Sequence, residues 1–489
     1  MMSDVFIWLL NGLYLLLVVG TVLVVMLENR QPERTIAWIV AILLLPGVGL
    51  CFFYFFGRNI RRQRALPLTK RLQTPHRHKS WLEATETPPT TTDRYQALKS
   101  LCDQEFGAPV ETLGKTEIFY NGTDFLKHLL EDIKTARSYI YLESYIIEDD
   151  KVGRQVGQAL KEAAKRGVET RLLYDDVGCW RVPKHFFRDI AHGGVEVEAY
   201  MPVHFPSLTH KINYRNHRKI CVIDGQQGYI GGMNLAARYL GSNDNVWRDI
   251  HLRLGGAAVR RLEQIFLTDW QFVTKGVEYK PKNEPPTTDS HPTLPNTKNN
   301  AATANTRVPQ VQIVTNDPTT AVPQLMMAYT WAVMHARRYL YVQTPYFMPT
   351  EPFLHALKTA AMSGIDVRLM MPHKPDGKLL RRINDSYVAE LLAAGVRVLL
   401  FEGGFLHSKC LVMDDDWCAV GSANMDFRSF LNNIEVSALI YDHNVSRSVR
   451  QQFERDQTQC REIEPSRWAK RSLMRRLRES ATRILSPLF

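Results

Sequence analysis

Two apolar runs near the N-terminus carry no charged residue: Val5 to Leu27, 23 residues, and Ile36 to Phe56, 21 residues. As a helix, each is long enough to cross a hydrocarbon layer of about 30 Å. A cleaved leader would begin with basic residues and carry a shorter apolar core. Here Met1-Met2-Ser3-Asp4 has no Lys or Arg, and a second apolar run follows at once. The pattern therefore predicts a retained two-helix transmembrane hairpin over residues 1–57. Pro46-Gly47-Val48-Gly49 marks a place for a kink or a re-entrant turn in the second arm.

Beyond the hairpin the hydrophobic spacing alternates between the helical and the strand period, and it does so twice. Ala136-Arg137-Ser138-Tyr139-Ile140-Tyr141-Leu142 recurs as Ala336-Arg337-Arg338-Tyr339-Leu340-Tyr341-Val342. Leu160 to Ala164, Val168 and Arg171-Leu172 recur as Leu357 to Ala361, Ile365 and Arg368-Leu369, and Gly194-Val195 recurs as Gly395-Val396. A spacing near 200 residues is too long for a solenoid and suits two duplicated domains. Each copy reads as helix, β-branched and aromatic strand, helix, which implies an α/β sandwich with a largely parallel or mixed sheet. The Pro-, Thr- and Asn-rich residues 280–307 predict a disordered linker, and residues 84–93 a shorter one. The expected layout is hairpin 1–57, basic juxtamembrane segment and linker 58–110, first domain 111–279, linker 280–307, second domain 308–460 and a basic amphipathic tail 461–489.

Charge refines this picture. The net charge of +11 invites a nucleic-acid reading. Its location argues otherwise. Arg58, Arg61, Arg62, Arg64, Lys70 and Arg71 lie together with no acid among them, and residues 467–483 hold seven basic residues against Glu479. These segments account for the positive excess, beside an apolar run and in a tail, as expected for contact with anionic lipid. The positive-inside rule places the side after the second run, and everything C-terminal to it, in the cytoplasm. In the tail, apolar positions 473/474, 477, 481 and 484/485 share one helical face, which predicts a helix lying on a lipid surface rather than packed in the core. The seven cysteines show no paired metal-ligand spacing, so neither zinc nor disulfides are expected in a reducing compartment.

The chemistry is concentrated at the end of each copy. His217-Arg218-Lys219, Asp224 and Gly231-Gly232-Met233-Asn234 match His407-Ser408-Lys409, Asp414 and Gly421-Ser422-Ala423-Asn424. From each His, Lys stands at +2, Asp at +7, Gly at +14 and Asn at +17. On a strand, i and i+2 share a face, so His and Lys reach one site. Asp at +7 has the opposite parity and falls in a turn, which assigns Asp224 and Asp414 to fixing turns of the catalytic motif rather than to binding phosphate. One His-x-Lys is weak evidence, since exposed basic strands are common. Two copies in register are not. The matched Asn234 and Asn424 are expected to contact phosphate, as is Ser422.

The duplicated His-x-Lys-x4-Asp pattern resembles the signature of the phospholipase D superfamily. Residues 46–57, Asn216 to Lys219, Thr344-Pro345-Tyr346-Phe347, Gly404 to His407 and Gly421 to Ser429 resemble bacterial cardiolipin synthases, over nearly the whole chain. The resemblance implies duplicated phospholipase D-type domains whose motifs meet at one metal-free, cofactor-free site in the cell membrane. One of His217 and His407 would attack phosphorus, and the other would move the proton to and from the alcohols. Lys219, Lys409, Asn234 and Asn424 would hold the phosphoryl oxygens. Asp249 and Glu435 resemble the family's His-orienting acids; they lie 32 and 28 residues after the histidine of their own copy. Gly232 opposite Ser422 fits unequal roles for the histidines without saying which attacks; resemblance to monomeric superfamily members points to His217.

The implied reaction transfers a phosphatidyl group from one phosphatidylglycerol to another, giving cardiolipin and glycerol, with oligomeric state left open. A lipid hydrolase of the same superfamily would share every catalytic residue. A nuclease would not need the hairpin and would carry its basic charge at the cleft. A non-catalytic scaffold would have let one motif decay.

Overall fold

The computed structural model describes residues 2–28, 32–45, 47–53, 93–203, 214–241, 246–274 and 308–486. The basic segment 58–71, the linker 280–307 and nearly all of the linker 84–93 lie outside the described residues. The described residues fall into two compact units.

In the N-terminal unit the first apolar run lies in the helix Met2–Glu28, and the second is divided between Pro32–Leu44 and Val48–Phe52. The break at Gly47 has φ 76°, open to glycine at little cost. Gly49 follows because a Cβ there would stand 2.5 Å from the Ala41 carbonyl oxygen. Val18, Val25, Ile42 and Phe53 bury one another. Two complete spans were expected; among the described residues no helix is long and apolar enough to cross a membrane. For the second run the break is the reason, since 13 residues rise only about 20 Å.

The second unit carries both copies on one continuous sheet of 15 strands. The first copy contributes β1 (Glu111–Phe119), β2 (Tyr139–Ser144), β3 (Glu169–Asp175), β4 (Glu196–Tyr200), β5 (Lys219–Ile223), β6 (Gln227–Gly231) and β8 (His251–Gly256), plus the short β7 (Trp247–Arg248) outside the main sheet. The second contributes β9 (Gln310–Asn316), β10 (Tyr339–Gln343), β12 (Asp366–Pro372), β13 (Arg397–Phe401), β15 (Cys410–Met413), β16 (Trp417–Gly421), β18 (Glu435–Tyr441) and β19 (Cys460–Glu462). Short β11 (Phe347–Met348), β14 (Phe405–Leu406) and β17 (Met425–Asp426) complete it. The order β1-β8-β6-β5-β2-β3-β4 is repeated as β9-β18-β16-β15-β10-β12-β13, with β19 added at the edge. Strands β2-β3-β4 and β10-β12-β13 run parallel, and the other main-sheet pairs antiparallel. The halves join where β1 meets β9 at Glu111–Val311 and Thr112–Gln310.

The repeated segments pack in the same way in both halves. Tyr141 stacks on Phe266 with ring centroids 5.0 Å apart, and Tyr341 on Phe453 at 4.7 Å. Arg171 covers Tyr141 at 5.6 Å, as Arg368 covers Tyr341 at 4.5 Å. Phe266 and Phe453 come from the helices Ala257–Val273 and His443–Gln457, which share one buried apolar cluster with both halves of the sheet.

Two expected boundaries move. Residues 94–110 are not linker. The helix Gln96–Phe106 buries Leu98 and Cys102, Arg94 pairs with Asp414 at 2.8 Å, and Tyr95 packs on Tyr441 at 5.5 Å. This short helix packs on β9 and on the helix Gln324–Met334 of the second copy. At the other end, β19 carries the second domain's sheet to Glu462. The tail helix Leu473–Arg483 packs on the helix Lys378–Ala393 through its polar side, with Arg475 on Asp385 at 3.1 Å and Arg483 on Glu390 at 2.7 Å. Its apolar side faces outward, with Leu473, Met474, Leu477 and Ile484 all more than half exposed.

Candidate active site

Each histidine stands just before a buried strand that opens a β-hairpin, β5–β6 or β15–β16. The hairpin turns are held by the aspartates. Asp224 and Asp414 adopt φ of 52° and 55°, and each carboxylate accepts backbone N–H groups from the repeated segment. Asp224 takes those of Arg137, Ser138 and Tyr139 at 2.7–3.0 Å. Asp414 takes those of Arg337, Arg338 and Tyr339 at 2.8–3.1 Å, plus the Arg94 guanidinium. Both aspartates thus anchor the hairpin to β2 or β10.

The acids cross between copies. His217 Nδ1 donates to Glu435 Oε2 at 3.0 Å, and His407 Nδ1 lies 2.6 Å from Asp249 Oδ2. The backbone enforces this exchange. His217 N–H donates to the carbonyl of Ile434 at 2.8 Å, and His407 N–H to that of Arg248 at 2.7 Å, each the residue before the acid. Phe405–Leu406 pairs in parallel with Trp247–Arg248, and Asn216 bridges to Ile434. Spacing along the chain placed each acid after the histidine of its own copy; the fold delivers it to the other.

Both histidines are buried, as are Lys219, Lys409, Asp249 and Glu435. Burial pushes His217 down to about 4, against the pull of Glu435. Burial, then Lys409, Lys219 and His217, holds His407 well below its usual value. Burial also lowers Lys219 to about 7, against Glu435, and Lys409 to about 8, against Asp249. For Glu435, His217 and Lys219 outweigh the burial cost and keep the carboxyl below its usual range. For Asp249 burial wins over Lys409, and the carboxyl rises. With Nδ1 turned to a carboxylate, Nε2 of each ring is the nitrogen left for chemistry.

The lysines turn back on the motif. Lys219 Nζ donates to the His217 carbonyl at 2.6 Å, Lys409 Nζ donates to that of His407, and it stands 2.9 Å from His407 Nδ1. The Asn234 amide donates to the Tyr239 hydroxyl at 3.0 Å while its carbonyl accepts the Ile146 N–H at 3.2 Å. Asn424 is buried with its side-chain carbonyl oxygen unpartnered. Ser422, expected on phosphate, is fully buried, and its hydroxyl donates to Glu435. At the matching Gly232 a Cβ would stand 2.2 Å from Asp249 Oδ1, so only glycine fits.

Four neighbours escaped the sequence reading. The Tyr239 hydroxyl lies 3.1 Å from His407 Nδ1, Trp247 packs on the His407 ring at 4.8 Å, and Tyr145 meets the His217 ring edge-on at 4.7 Å. Arg238 covers Trp247 at 4.6 Å. Tyr239 stands five residues after Asn234 where the second copy has Ser429, and the absence of a matching tyrosine hid it. Tyr145 and Arg238 line a cavity of 610 Å³ with Trp180 and Arg181.

The family model described as "Cardiolipin synthase, PLD-like domain" matches residues 129–270 and 329–457, and "Phospholipase D-nuclease N-terminal" matches 15–58. Cardiolipin synthase 2 of Bacillus cereus is 37% identical over 95% of this chain and 88% of its own. Cardiolipin synthase 1 of Staphylococcus aureus is 36% identical over 98% and 96%. The crystal structure of phosphatidylserine synthase from Haemophilus influenzae shares the fold, with a TM-score of 0.57 at 13% identity, over 80% of this chain and all of that one. A duplicated motif, a shared pair of His–carboxylate contacts and relatives alike over nearly the full length agree: the chain belongs to the cardiolipin synthases, phosphatidyltransferases with phospholipase D-like domains.

Proposed function

We propose that the protein transfers a phosphatidyl group from one phosphatidylglycerol to a second, yielding cardiolipin and glycerol through a phosphohistidine. The observation that carries this reading is the crossed pair His217–Glu435 and His407–Asp249, which orients two imidazoles in one buried site. Nε2 of one histidine forms the N–P bond as the bond from phosphorus to the headgroup glycerol breaks. The other histidine, protonated on both ring nitrogens at this step, gives its Nε2 proton to the oxygen of the departing glycerol. It then takes the proton of the second lipid's hydroxyl, whose oxygen attacks phosphorus and releases the first histidine. Lys219 and Lys409, with Asn234 and Asn424, offset charge on the phosphoryl oxygens. Asp224 and Asp414 keep both hairpins in place, and the cavity beside Tyr145 and Arg238 admits the headgroup.

The N-terminal helices are assigned to the cell membrane, with the catalytic unit on the cytoplasmic side. Support comes from the uncharged run inside Met2–Glu28, whose Phe6, Trp8, Leu9, Leu16 and Leu23 are exposed, and from the six basic residues after the second run. The test is full-length protein with acyl-labelled phosphatidylglycerol. Cardiolipin and glycerol in equal amounts are expected. Phosphatidic acid in place of cardiolipin would make the protein a hydrolase and overturn the proposal.

A further inference from the structure

A surface cavity of 410 Å³ opens between the start of the helix Lys378–Ala393 and the tail helix Leu473–Arg483. Five cations line it: Lys378, Arg381, Arg382, Arg475 and Arg478. Two carboxylates also face it, but both are already answered. Glu479 takes Arg471 at 2.7 Å and Arg475 at 2.9 Å, and Asp385 takes Arg475 at 3.1 Å. Lys378, Arg381, Arg382 and Arg478 are exposed and make no ion pair with any described residue. Four cations without an ion-pair contact stand around one cavity, Arg381 feeling a nearby carboxylate, Asp385, and an anion among them would offset their mutual repulsion. The first turn of a 16-residue helix, with no side-chain cap, adds its own positive end.

The same tail helix carries Leu473, Met474 and Leu477 outward, within about a turn and a half of Arg478. A free phosphate would use the cations and leave this apolar face in water. An anionic phospholipid satisfies both, its phosphodiester among the arginines and its acyl chains along the leucines. We infer that this cavity is a second lipid site, separate from the histidine pair, that takes the phosphodiester headgroup of an anionic phospholipid. The helix that forms its floor also holds the segment at β11, which pairs with β17 directly after Asn424. Asn384 accepts the Phe347 N–H at 3.0 Å, and Asp376, in the loop before this helix, accepts the Tyr346 hydroxyl at 2.7 Å.

The choice of a lipid as ligand rests on the phosphatidyl-transfer reading; the anion site itself does not. The test is hydrogen exchange on the full chain in zwitterionic detergent, with phosphatidylglycerol, phosphatidylcholine or inorganic phosphate added. Phosphatidylglycerol should slow exchange in 378–386 and 473–483, and phosphatidylcholine should not. Arg382→Gln with Arg478→Gln should weaken that protection about thirtyfold, at the usual attraction per basic residue near an anionic surface. Arg382→Lys with Arg478→Lys should retain most of it. Leu473→Ser with Leu477→Ser should erase the preference for lipid over inorganic phosphate. Equal protection by phosphatidylcholine, or by inorganic phosphate at the same concentration, would overturn the proposal, as would undiminished protection in the glutamine pair. The same series in His217→Ala separates the two readings: protection there without cardiolipin synthesis by wild type would sink only the catalytic proposal. Cardiolipin synthesis by wild type without protection would sink only this one.

Discussion

His217 meets its carboxylate through Glu435, and His407 meets its own through Asp249, one methylene shorter. The surroundings compensate for that difference. Where Asp249 approaches closely, Gly232 leaves room that a Cβ would fill; where Glu435 reaches from farther away, Ser422 occupies the space and donates to it. The charge environments differ too. His217 faces an ionised Glu435, whereas His407 has Lys409 at 2.9 Å and Tyr239 at 3.1 Å on the same nitrogen. A duplicated backbone frame therefore ends in two unlike imidazoles, which suits the proposed division between a nucleophile and a proton carrier.

The harshest way to break this comparison is to remove either ring. His217→Ala and His407→Ala should each lower cardiolipin formation by at least about 10²-fold, and the double variant hardly further, because both serve one reaction. Turnover with labelled phosphatidylglycerol checks this, and residual activity above roughly a tenth in either variant would refute it.

Next come the crossed acids. Glu435→Gln and Asp249→Asn should each cost about 10–100-fold, as is usual for a group that orients a histidine. Glu435→Gln should change the diethylpyrocarbonate reactivity of His217 and leave His407 alone, and Asp249→Asn the reverse. Peptide mass mapping reads the difference; effects within the same copy would contradict the crossing.

The filler positions sharpen the comparison further. Gly232→Ala should displace Asp249 and lose about tenfold in kcat, while Ser422→Gly, which removes the hydroxyl's bonds to Glu435 and from the Val436 N–H but crowds nothing, should lose only about two- to fivefold. Equal losses would mean that the two corners tolerate crowding alike.

The smallest effect concerns pH and stability. His217 sits near 4 in the folded chain against 6.5 when unperturbed. Between those values the unfolded chain binds a proton that the folded chain refuses. Its contribution is therefore full above pH 6.5 and is lost as pH falls toward 4. His217→Gln should flatten the fall of the thermal midpoint across this window, measured by tryptophan fluorescence in detergent.

What could be read along the chain is what short spacing controls. His and Lys two residues apart share a face in any strand, and an Asp seven residues on falls at the hairpin turn, so both motifs and the turn role of Asp224 and Asp414 were legible. The repeated Tyr141 and Tyr341 segments, and with them the duplicated α/β plan, were legible for the same reason. The helix Gln96–Phe106 was not, because the surfaces that bury Leu98 and Cys102 belong to strands and helices more than 200 residues away. The outward apolar face of the tail was legible from its helical spacing, but the docking of its arginines on Asp385 and Glu390 of the helix Lys378–Ala393 was not.

The decisive contact in the site belongs to this second kind. The sequence by itself determined that two His-x-Lys motifs stand in register, and its resemblance to the family pointed to two carboxylates, 32 and 28 residues after their histidines. Which carboxylate serves which histidine depended on β7 lying beside β14 and Ile434 beside Asn216, contacts between halves that no local spacing encodes. Backbone hydrogen bonds across that seam bring each acid to the other copy's histidine, because an unpaired N–H buried there would cost more than the exchange.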